Sequence, residues 1–245
     1  MATIKRSKLN SLYTNLAPGI PLTAEDLAGL GISADLAVHY VRAGWLSRLA
    51  RGVYYRPNET LALHPSLLLL ERQIEGLHVG GKSALDWYGV RHYLSQQPVL
   101  LLYGWAAIRL PGWFTERFPA EYHRKRLFTE PRSVLLHAGP FEKRNGAPHV
   151  SAPERALLEV LSEVGVRQSL QEARELAEGT YGLRADVLRE LLQHCTSVKT
   201  VRLCLQLGRD LLLPWGSKLD PATLPTGSGR PWVSQSSDGL LVLKP

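Results

Sequence analysis

Cysteine is scarce in this chain: two of its 245 residues, Cys195 and Cys204, carry a thiol. A scaffold stapled by disulfide bonds, as in small secreted proteins, is therefore excluded. Long hydrophobic runs are also missing. A membrane-spanning helix needs roughly 18–20 apolar residues, and no run in this sequence approaches that length. The run of four leucines at 67–70, for example, ends at once at Glu71 and Arg72. The sequence thus predicts a globular protein without a membrane-spanning helix.

Targeting signals, repeats and low-complexity tracts are not visible either. Lys5, Arg6 and Lys8 are not followed by a long apolar stretch, so we expect no signal peptide, no membrane partner and a cytoplasmic location. No segment of 20–50 residues recurs along the chain. The hydrophobic fraction of 44% is ordinary for a globular protein. The length fits one large domain or two small ones, and we take two as the starting hypothesis.

Residue patterns typical of metal sites and catalytic centres are lacking as well. The two cysteines lie nine positions apart, and no histidine pair has ligand spacing on one helix face. His194 and Cys195 are adjacent, but neighbours on a helix point in different directions. The chain contains no G-x-S-x-G motif, and no acidic pair with a lysine marks a nuclease centre. We therefore expect no catalytic residue, no metal and no cofactor.

What the chain does have is an excess of basic residues. Its 29 Lys and Arg against 22 Asp and Glu give a net charge of +7, and its sequence pI is about 9.5. In residues 1–60, seven basic residues oppose four acidic ones, a net +3. This balance favours a polyanionic partner without identifying one.

The first 60 residues have the order of a winged helix-turn-helix. A short helix is predicted over 7–16, before Pro18 and Gly19, and a second over 23–30, capped by Thr23. Ser33 caps a third helix that ends at Gly44. Alternating residues over 45–49 and 53–56, with a glycine between them, then predict a β-hairpin. We place a DNA-binding domain at 1–60.

In this arrangement the third helix enters the major groove and the hairpin reaches phosphates or the minor groove. Leu36 and Tyr40 should face the core. The candidate DNA-binding residues are Ser33, Asp35, His39 and Arg42 on the helix, with Arg48, Arg51 and Arg56 on the hairpin. Arg51 at the hairpin tip is the strongest single candidate. Alternatively, His39 is only a solvated residue, Arg56 pairs with Glu59, or the whole domain mediates protein contacts.

Residues 61–245 predict a larger domain of mixed α/β structure, and the chain as a whole is assigned to the α+β class. Ser151 and Glu154 have the spacing of a capping box, with Pro153 at the first helical position, which predicts a helix over 153–161. The other predicted helices lie at 64–75, 83–88, 167–178, 184–194 and 197–212, and the predicted strands at 98–103, 133–137 and 240–243.

One segment of this larger domain, residues 76–83, satisfies the phosphate-loop motif G-x-x-x-x-G-K-[ST]. A true phosphate loop follows a buried strand and opens a long helix, whereas here the preceding residues 66–75 read as helix. No apolar strand ending in Asp follows to hold magnesium. We therefore favour a tight connection at Gly80 and Gly81, with Ser83 capping the next helix. Nucleotide binding by Lys82 is the less favoured alternative.

A second basic cluster lies in the larger domain, formed by Arg124, Lys125 and Arg126 with Arg109, Arg117 and Arg132 nearby. Such a cluster is most often a solvated face. It is also compatible with an extended nucleic-acid footprint or with an acidic partner.

The chain resembles the AbiEi family of antitoxins from type IV toxin–antitoxin systems. Four stretches in the order and spacing of the family carry the resemblance: L-T-A-E-D-L at 22–27 through R-G-V-Y-Y-R-P at 51–57, V-G-G-K-S-A-L-D-W-Y-G at 79–89, V-S-A-P-E-R-A-L-L-E at 150–159, and T-G-S-G-R at 226–230. The family places a small-residue turn and a helix at 79–89. The polar stretch 234–238 matches no pattern of the family.

The resemblance implies a two-domain protein without enzymatic activity. Its winged helix would bind inverted repeats in its own promoter and repress the operon. The larger domain would counteract a nucleotidyltransferase toxin encoded beside it, and a stable complex with the toxin is not required. Two other interpretations remain: a winged-helix module fused to a nuclease or nucleotide-dependent transferase, and a protein-interaction adaptor.

Overall fold

The computed structural model describes Tyr13 and residues 18–91, 98–129, 147–236 and 239–243, and these form an α+β fold. The chain divides into two units. The first contains residues 1–73, 109–119 and 144–148, and the second contains 74–108, 120–143 and 149–245. The predicted helix at 7–16 (Tyr13 apart) and the predicted strand at 133–137 lie outside the described residues.

The first unit begins with the predicted winged helix-turn-helix. Its elements are β1 (Leu22–Thr23), α1 (Ala24–Gly29), α2 (Ala34–Arg42), β2 (Ser47–Ala50), β3 (Val53–Tyr55), α3 (Leu63–Gln73) and the single turn α5 (Gly112–Thr115). The three strands form an antiparallel sheet in the order β1-β3-β2. The predicted helices and hairpin of 23–56 are therefore confirmed.

Hydrogen bonds at the start of α1 and a glycine after its end define this helix. The Thr23 hydroxyl accepts a hydrogen bond from the Asp26 amide (3.0 Å), and the Asp26 carboxylate accepts one from the Thr23 amide (2.8 Å). This reciprocal capping box satisfies two amides that the first turn leaves free. Gly31, at φ 75°, then reverses the chain between α1 and α2.

The core of this helical pair is hydrophobic. Tyr40 and Leu27 are fully buried, and Ile32, Ala37 and Leu46 are nearly so. Leu36, predicted to face the core, is partly buried against this cluster. The buried side chains hold α2 in place from one side and leave its other side to solvent.

The second unit is built around the helix α6 (Pro153–Glu163), whose residues 154–163 are all buried. Helices α4 (Gly81–Trp87), α7 (Leu170–Glu178), α8 (Ala185–Gln193) and α9 (Val198–Asp210) pack against it. A three-stranded sheet, β4 (His78–Val79), β5 (Leu100–Gly104) and β6 (Ala120–Arg124), completes this unit together with the hairpin of β7 (Trp232–Ser236) and β8 (Gly239–Leu243). Strands β5 and β6 are parallel.

Two predicted helix caps in this unit are wrong. The structure places Ala152, without a side-chain bond, at the start of α6, because the Ser151 hydroxyl donates to Glu159. Similarly, Gly80 begins α4, since the Ser83 hydroxyl accepts a hydrogen bond from the Leu101 amide (2.8 Å). In both cases the hydroxyl bonds to another group, 8 positions away for Ser151 and 18 positions away for Ser83. Strands β4, β6 and β7 were also missed.

Arg202 on α9 anchors the C-terminal hairpin. Its side chain is 4% exposed and donates hydrogen bonds to four backbone carbonyls, those of Thr226, Ser228, Arg230 and Leu243. One buried guanidinium thus joins α9 to backbone carbonyls between 226 and 243.

Candidate nucleic-acid interface

Helix α2 presents one exposed polar face. Asp35, His39 and Arg42 are exposed and lie at helical spacing, with the exposed Val38 beside them. Ser33 is exposed just before the helix, where its hydroxyl accepts a hydrogen bond from the Leu36 amide (3.3 Å). The structure thus brings Asp35, His39 and Arg42 onto one solvent-facing side of α2, with Ser33 exposed where the helix begins.

His39 is held by aromatic contacts at the end of this helix. Its ring meets Trp45 edge-on, with centroids 6.1 Å apart, and Trp45 in turn packs against Tyr40 at 5.4 Å. The Tyr13 hydroxyl donates to the Trp45 carbonyl (2.9 Å). His39 is therefore exposed yet positioned, so it is more than a freely moving surface residue.

The hairpin ends in a two-residue turn with Arg51 at its tip. Ala50 pairs with Val53, which leaves Arg51 and Gly52 to form the turn, and Gly52 adopts φ 75°. The Gly52 carbonyl accepts a hydrogen bond from the Ala24 amide (2.9 Å), so the tip is fixed to the start of α1. Arg51 is exposed and has no ion-pair partner in the described part of the chain.

The other two hairpin arginines differ from each other. Arg48 is exposed, and its Nε donates to the Ala50 carbonyl (3.2 Å) at the end of its own strand. Arg56 is only 18% exposed; its Nε lies 2.9 Å from the Glu59 carboxylate and its guanidinium stands over the Tyr13 ring. The alternative interpretation of Arg56, an ion pair with Glu59, is therefore what the structure shows. A phosphate contact by Arg56 would require that pair to open.

Two further arginines of the first unit make contacts that the sequence does not predict: Arg72, which belongs to no predicted site, and Arg117, which the sequence groups with the second basic cluster of the larger domain. Arg72 on α3 forms a double hydrogen bond with the carboxylate of Asp26 (3.0 and 3.3 Å). Partial burial raises the pKa of Asp26, but Arg72 and Thr23 outweigh it and hold that pKa below its usual value. Arg117 stacks over the Tyr55 ring of β3, 5.9 Å from its centroid. Both partners lie more than 40 positions away, so no local pattern could have indicated them.

The phosphate-loop segment encloses a carboxylate of the protein itself. The Gly81 amide, which a phosphate would need, donates to Glu159 (2.9 Å). A Cβ atom at Gly80 would lie 2.4 Å from the same carboxylate, which explains a glycine there. Lys82 pairs with Glu172 on α7 (2.8 Å). The Gly81 amide, the Lys82 ammonium and the Ser83 hydroxyl all have internal partners, which favours the predicted structural role of Gly80 and Gly81.

Glu159 lies at the centre of a fully buried ionic network. Arg155 (2.6 Å) and the Ser151 hydroxyl (2.9 Å) donate to it, and His78 Nε2 lies 3.0 Å away. Burial would raise the pKa of Glu159, but the charge of Arg155 and the hydrogen bonds to the carboxylate outweigh it and lower that pKa to about 2. The carboxylate is thus charged at neutral pH and accepts hydrogen bonds from Gly81, Ser151 and Arg155.

His78 is best described as neutral. Its Nδ1 lies 2.7 Å from the Gly76 carbonyl, which requires the proton there, and Nε2 then accepts from Arg155 (2.9 Å). Burial and the charge of Arg155 both lower the pKa of His78. The network therefore joins β4, α4 and α6 and offers no free base for chemistry.

Comparisons with known proteins match two consecutive stretches of the chain. Residues 5–96 match the family described as "Transcriptional regulator, AbiEi antitoxin N-terminal domain". Residues 97–244 match "Transcriptional regulator, AbiEi antitoxin, Type IV TA system". A comparison with curated proteins found no match.

A solved structure shares the fold. The crystal structure of the RV2827C protein from Mycobacterium tuberculosis superposes with a TM-score of 0.53 at 18% identity, over 94% of this chain and 89% of that one. In the described residues, no helix is both long enough and apolar enough to cross a membrane. The family matches extend nearly from end to end, and the chain therefore belongs to the AbiEi family of antitoxins and transcriptional regulators of type IV toxin–antitoxin systems.

Proposed function

We propose that this protein represses its own operon by binding inverted repeats in the promoter through helix α2 and the β2–β3 hairpin. Two observations of the same unit carry the proposal: the exposed polar face of α2, and a hairpin tip fixed to the start of α1 whose arginine has no ion-pair partner in the described structure. A helix of this kind fits the major groove, and a basic hairpin reaches the backbone.

The candidate residues divide between base and phosphate contacts. Asp35, His39 and Arg42 would face base edges, and Ser33 at the start of the helix would lie nearest the backbone. Arg48 and Arg51 would each neutralise a phosphate. Arg56 is proposed to brace the base of the hairpin through Glu59 and to reach DNA only if that pair opens. Residues 1–60 are the proposed DNA-binding domain, and 61–245 the proposed antitoxin domain.

Operator binding tests this proposal directly. Fluorescence anisotropy would compare the whole protein with Arg51→Ala on duplex DNA from upstream of its own gene. Loss of one phosphate contact should weaken binding and lower the salt slope by about 0.9. Arg174→Ala is the matched control, because Arg174 is a surface arginine of the second unit, 3.9 Å from Glu178.

Each outcome of this titration has a defined meaning. An unchanged salt slope would remove Arg51 from the interface. If the unaltered protein does not prefer its own upstream DNA over random duplex, repression through inverted repeats is wrong. A preference for DNA with two half-sites about one helical turn apart, or a multiple of it, is the expected result.

The second part of the proposal concerns the toxin. We infer that the larger domain counteracts a nucleotidyltransferase encoded beside this gene, without requiring a stable complex. The support is membership of the family. Expression of the neighbouring gene should stop growth, and co-expression of this protein should restore it. The Arg51→Ala variant should restore growth equally well while relieving repression of the operon. No rescue by the unaltered protein would overturn the antitoxin role.

A further inference from the structure

Two arginines and a tryptophan meet at one edge of the second unit. Strands β5 and β6 pair in parallel as far as Gly104 and Arg124, so both end at the same edge of the sheet. Trp105 follows β5 directly, and Lys125 and Arg126 follow β6. The topology thereby places the second basic cluster of the sequence beside an aromatic ring.

The three basic residues of this cluster point in alternating directions. Lys125 turns inward, where its ammonium donates to the Ser162 carbonyl (3.2 Å) and hydroxyl (2.9 Å) and pairs with Glu163 at the end of α6. Arg124 and Arg126 turn outward and are exposed. Lys125 thus has a structural role, whereas the two arginines are left for another one.

Trp105 holds both arginines in place. Arg124 Nε donates to the Trp105 carbonyl (3.1 Å), and the Arg126 guanidinium lies 5.0 Å from the centroid of the Trp105 ring. The ring itself is fixed against Gly76, where a Cβ atom would come within 2.7 Å of two ring carbons. The Trp105 amide also donates to the Glu75 carbonyl (3.1 Å).

Neither of these guanidinium groups is neutralised. Within the described ranges, no carboxylate forms an ion pair with Arg124 or Arg126: Glu163 pairs with Lys125 and Arg167, and Glu121 lies 3.6 Å from His123. Two adjacent cations on a fixed platform repel each other and attract an anion. We propose that Arg124, Trp105 and Arg126 form a binding site for the phosphates of single-stranded nucleic acid.

The chemistry of the site selects this ligand class. An arginine held by its Nε or by its flat face keeps other N–H groups for a phosphate, which it binds in a forked geometry. The guanidinium stacked on Trp105 also offers a plane on which an unpaired base can stack. An acidic peptide would use the forks but not the plane. A duplex keeps its bases stacked on each other, which favours a single strand.

The test uses the full-length protein and a labelled, short, mixed-sequence single-stranded RNA in an anisotropy titration. The double variant Arg124→Ala/Arg126→Ala should bind at least about tenfold more weakly, and its salt slope should fall by about 1.4, the value for two phosphates. Arg174→Ala should bind normally. Unchanged affinity in the double variant would overturn the site.

Two further variants separate this site from a general attraction between charges. Arg124→Lys/Arg126→Lys keeps the charge but loses the forks and the stacking plane, so binding should still weaken. Trp105→Leu keeps the charge and removes the ring, with the same expectation. Normal binding by the lysine variant would overturn the proposal, as would binding of poly-glutamate but not RNA by the unaltered protein.

The site does not depend on operator recognition, and the two can fail separately. Arg51→Ala should lose duplex affinity and keep single-strand binding, whereas the Arg124/Arg126 double variant should show the reverse. Single-strand binding without any operator preference would contradict the proposed repression while supporting this site.

Discussion

The two units of this protein place their charges in opposite ways. In the described residues of the first unit, the one buried polar side chain is Ser66, and its arginines lie at or near the surface. The second unit buries five charged side chains to 4% exposure or less: Glu154, Arg155, Glu159, Glu163 and Arg202. One unit is held together by apolar packing, and the other also by an internal ionic framework.

This difference separates the residues that specify the fold from those free to bind. A surface arginine contributes little to stability, so it can be selected for a phosphate contact. A buried ion is different, because removal of its partner leaves an uncompensated charge. Glu159 illustrates the second case: its carboxylate joins the start of α4 to the middle of α6. We expect substitutions in the two units to separate stability from binding.

The largest expected effect is that of Glu159→Gln. The substitution keeps the volume but leaves the buried Arg155 without its counter-charge, so the free energy of unfolding should fall by about 3–5 kcal/mol. Urea denaturation followed by circular dichroism would measure it. Arg51→Ala should change the same quantity by less than about 0.5 kcal/mol. A loss below about 1 kcal/mol in Glu159→Gln would mean that the network does not stabilise the second unit.

Lowering the pH should also reduce the stability that the buried network of the second unit provides. The pKa of Glu159 is about 2 in the folded protein, against an ordinary value of 4.5. Its contribution, roughly 3 kcal/mol, is therefore present above pH 4.5 and is lost as the pH falls from 4.5 towards 2. The pKa of His78 is also lowered from 6.5, so the unfolded chain takes up that proton first and stability begins to fall below pH 6.5.

Urea midpoints measured from pH 8 to pH 3 would test this order. His78→Gln retains a polar side chain without a proton to gain, so it should remove the decline between pH 6.5 and 4.5 and keep the later one. Equal stability at pH 7 and pH 4 in the unaltered protein would contradict both assignments.

The two units differ in how well the sequence predicts them, because their interacting residues differ in separation along the sequence. The first unit was predictable because its signals are local: Thr23 bonds to Asp26, and Ser33 to Leu36, three positions along. In the second unit, the Ser151 hydroxyl donates a hydrogen bond to Glu159, and the Glu154 carboxylate accepts one from Arg184, 30 positions away. A capping box was therefore predicted where the two side chains have other partners.

The candidate site shows the same limit. The spacing on α2 predicted which residues share an exposed face, since helix geometry alone decides it. The sequence also favours Arg51 over Arg56, since Glu59 lies three positions after Arg56, but it does not predict the stack of Arg56 on Tyr13, a residue 43 positions earlier. The sequence also does not predict the contacts of Arg124 and Arg126 with Trp105. These contacts require β5 and β6 to pair in parallel, and no local pattern indicates that pairing.

The smallest expected effect is a change of sign between two glycines of the first unit. Gly29 in α1 and Gly52 in the hairpin turn both have nothing within 4 Å of an added Cβ, so neither substitution meets a steric obstacle. Gly52 has φ 75°, where a side chain costs about 1–2 kcal/mol. Gly52→Ala should therefore destabilise the protein by about 1 kcal/mol, whereas Gly29→Ala should stabilise it by up to about 1 kcal/mol through helix propensity.

Because the Gly52 carbonyl fixes the hairpin tip to the Ala24 amide, Gly52→Ala should also weaken operator binding, and Gly29→Ala should not. Thermal unfolding and the anisotropy titration read these two effects separately. Equal shifts in the melting temperature for both variants would show that the backbone of the turn is not what holds Arg51 in place.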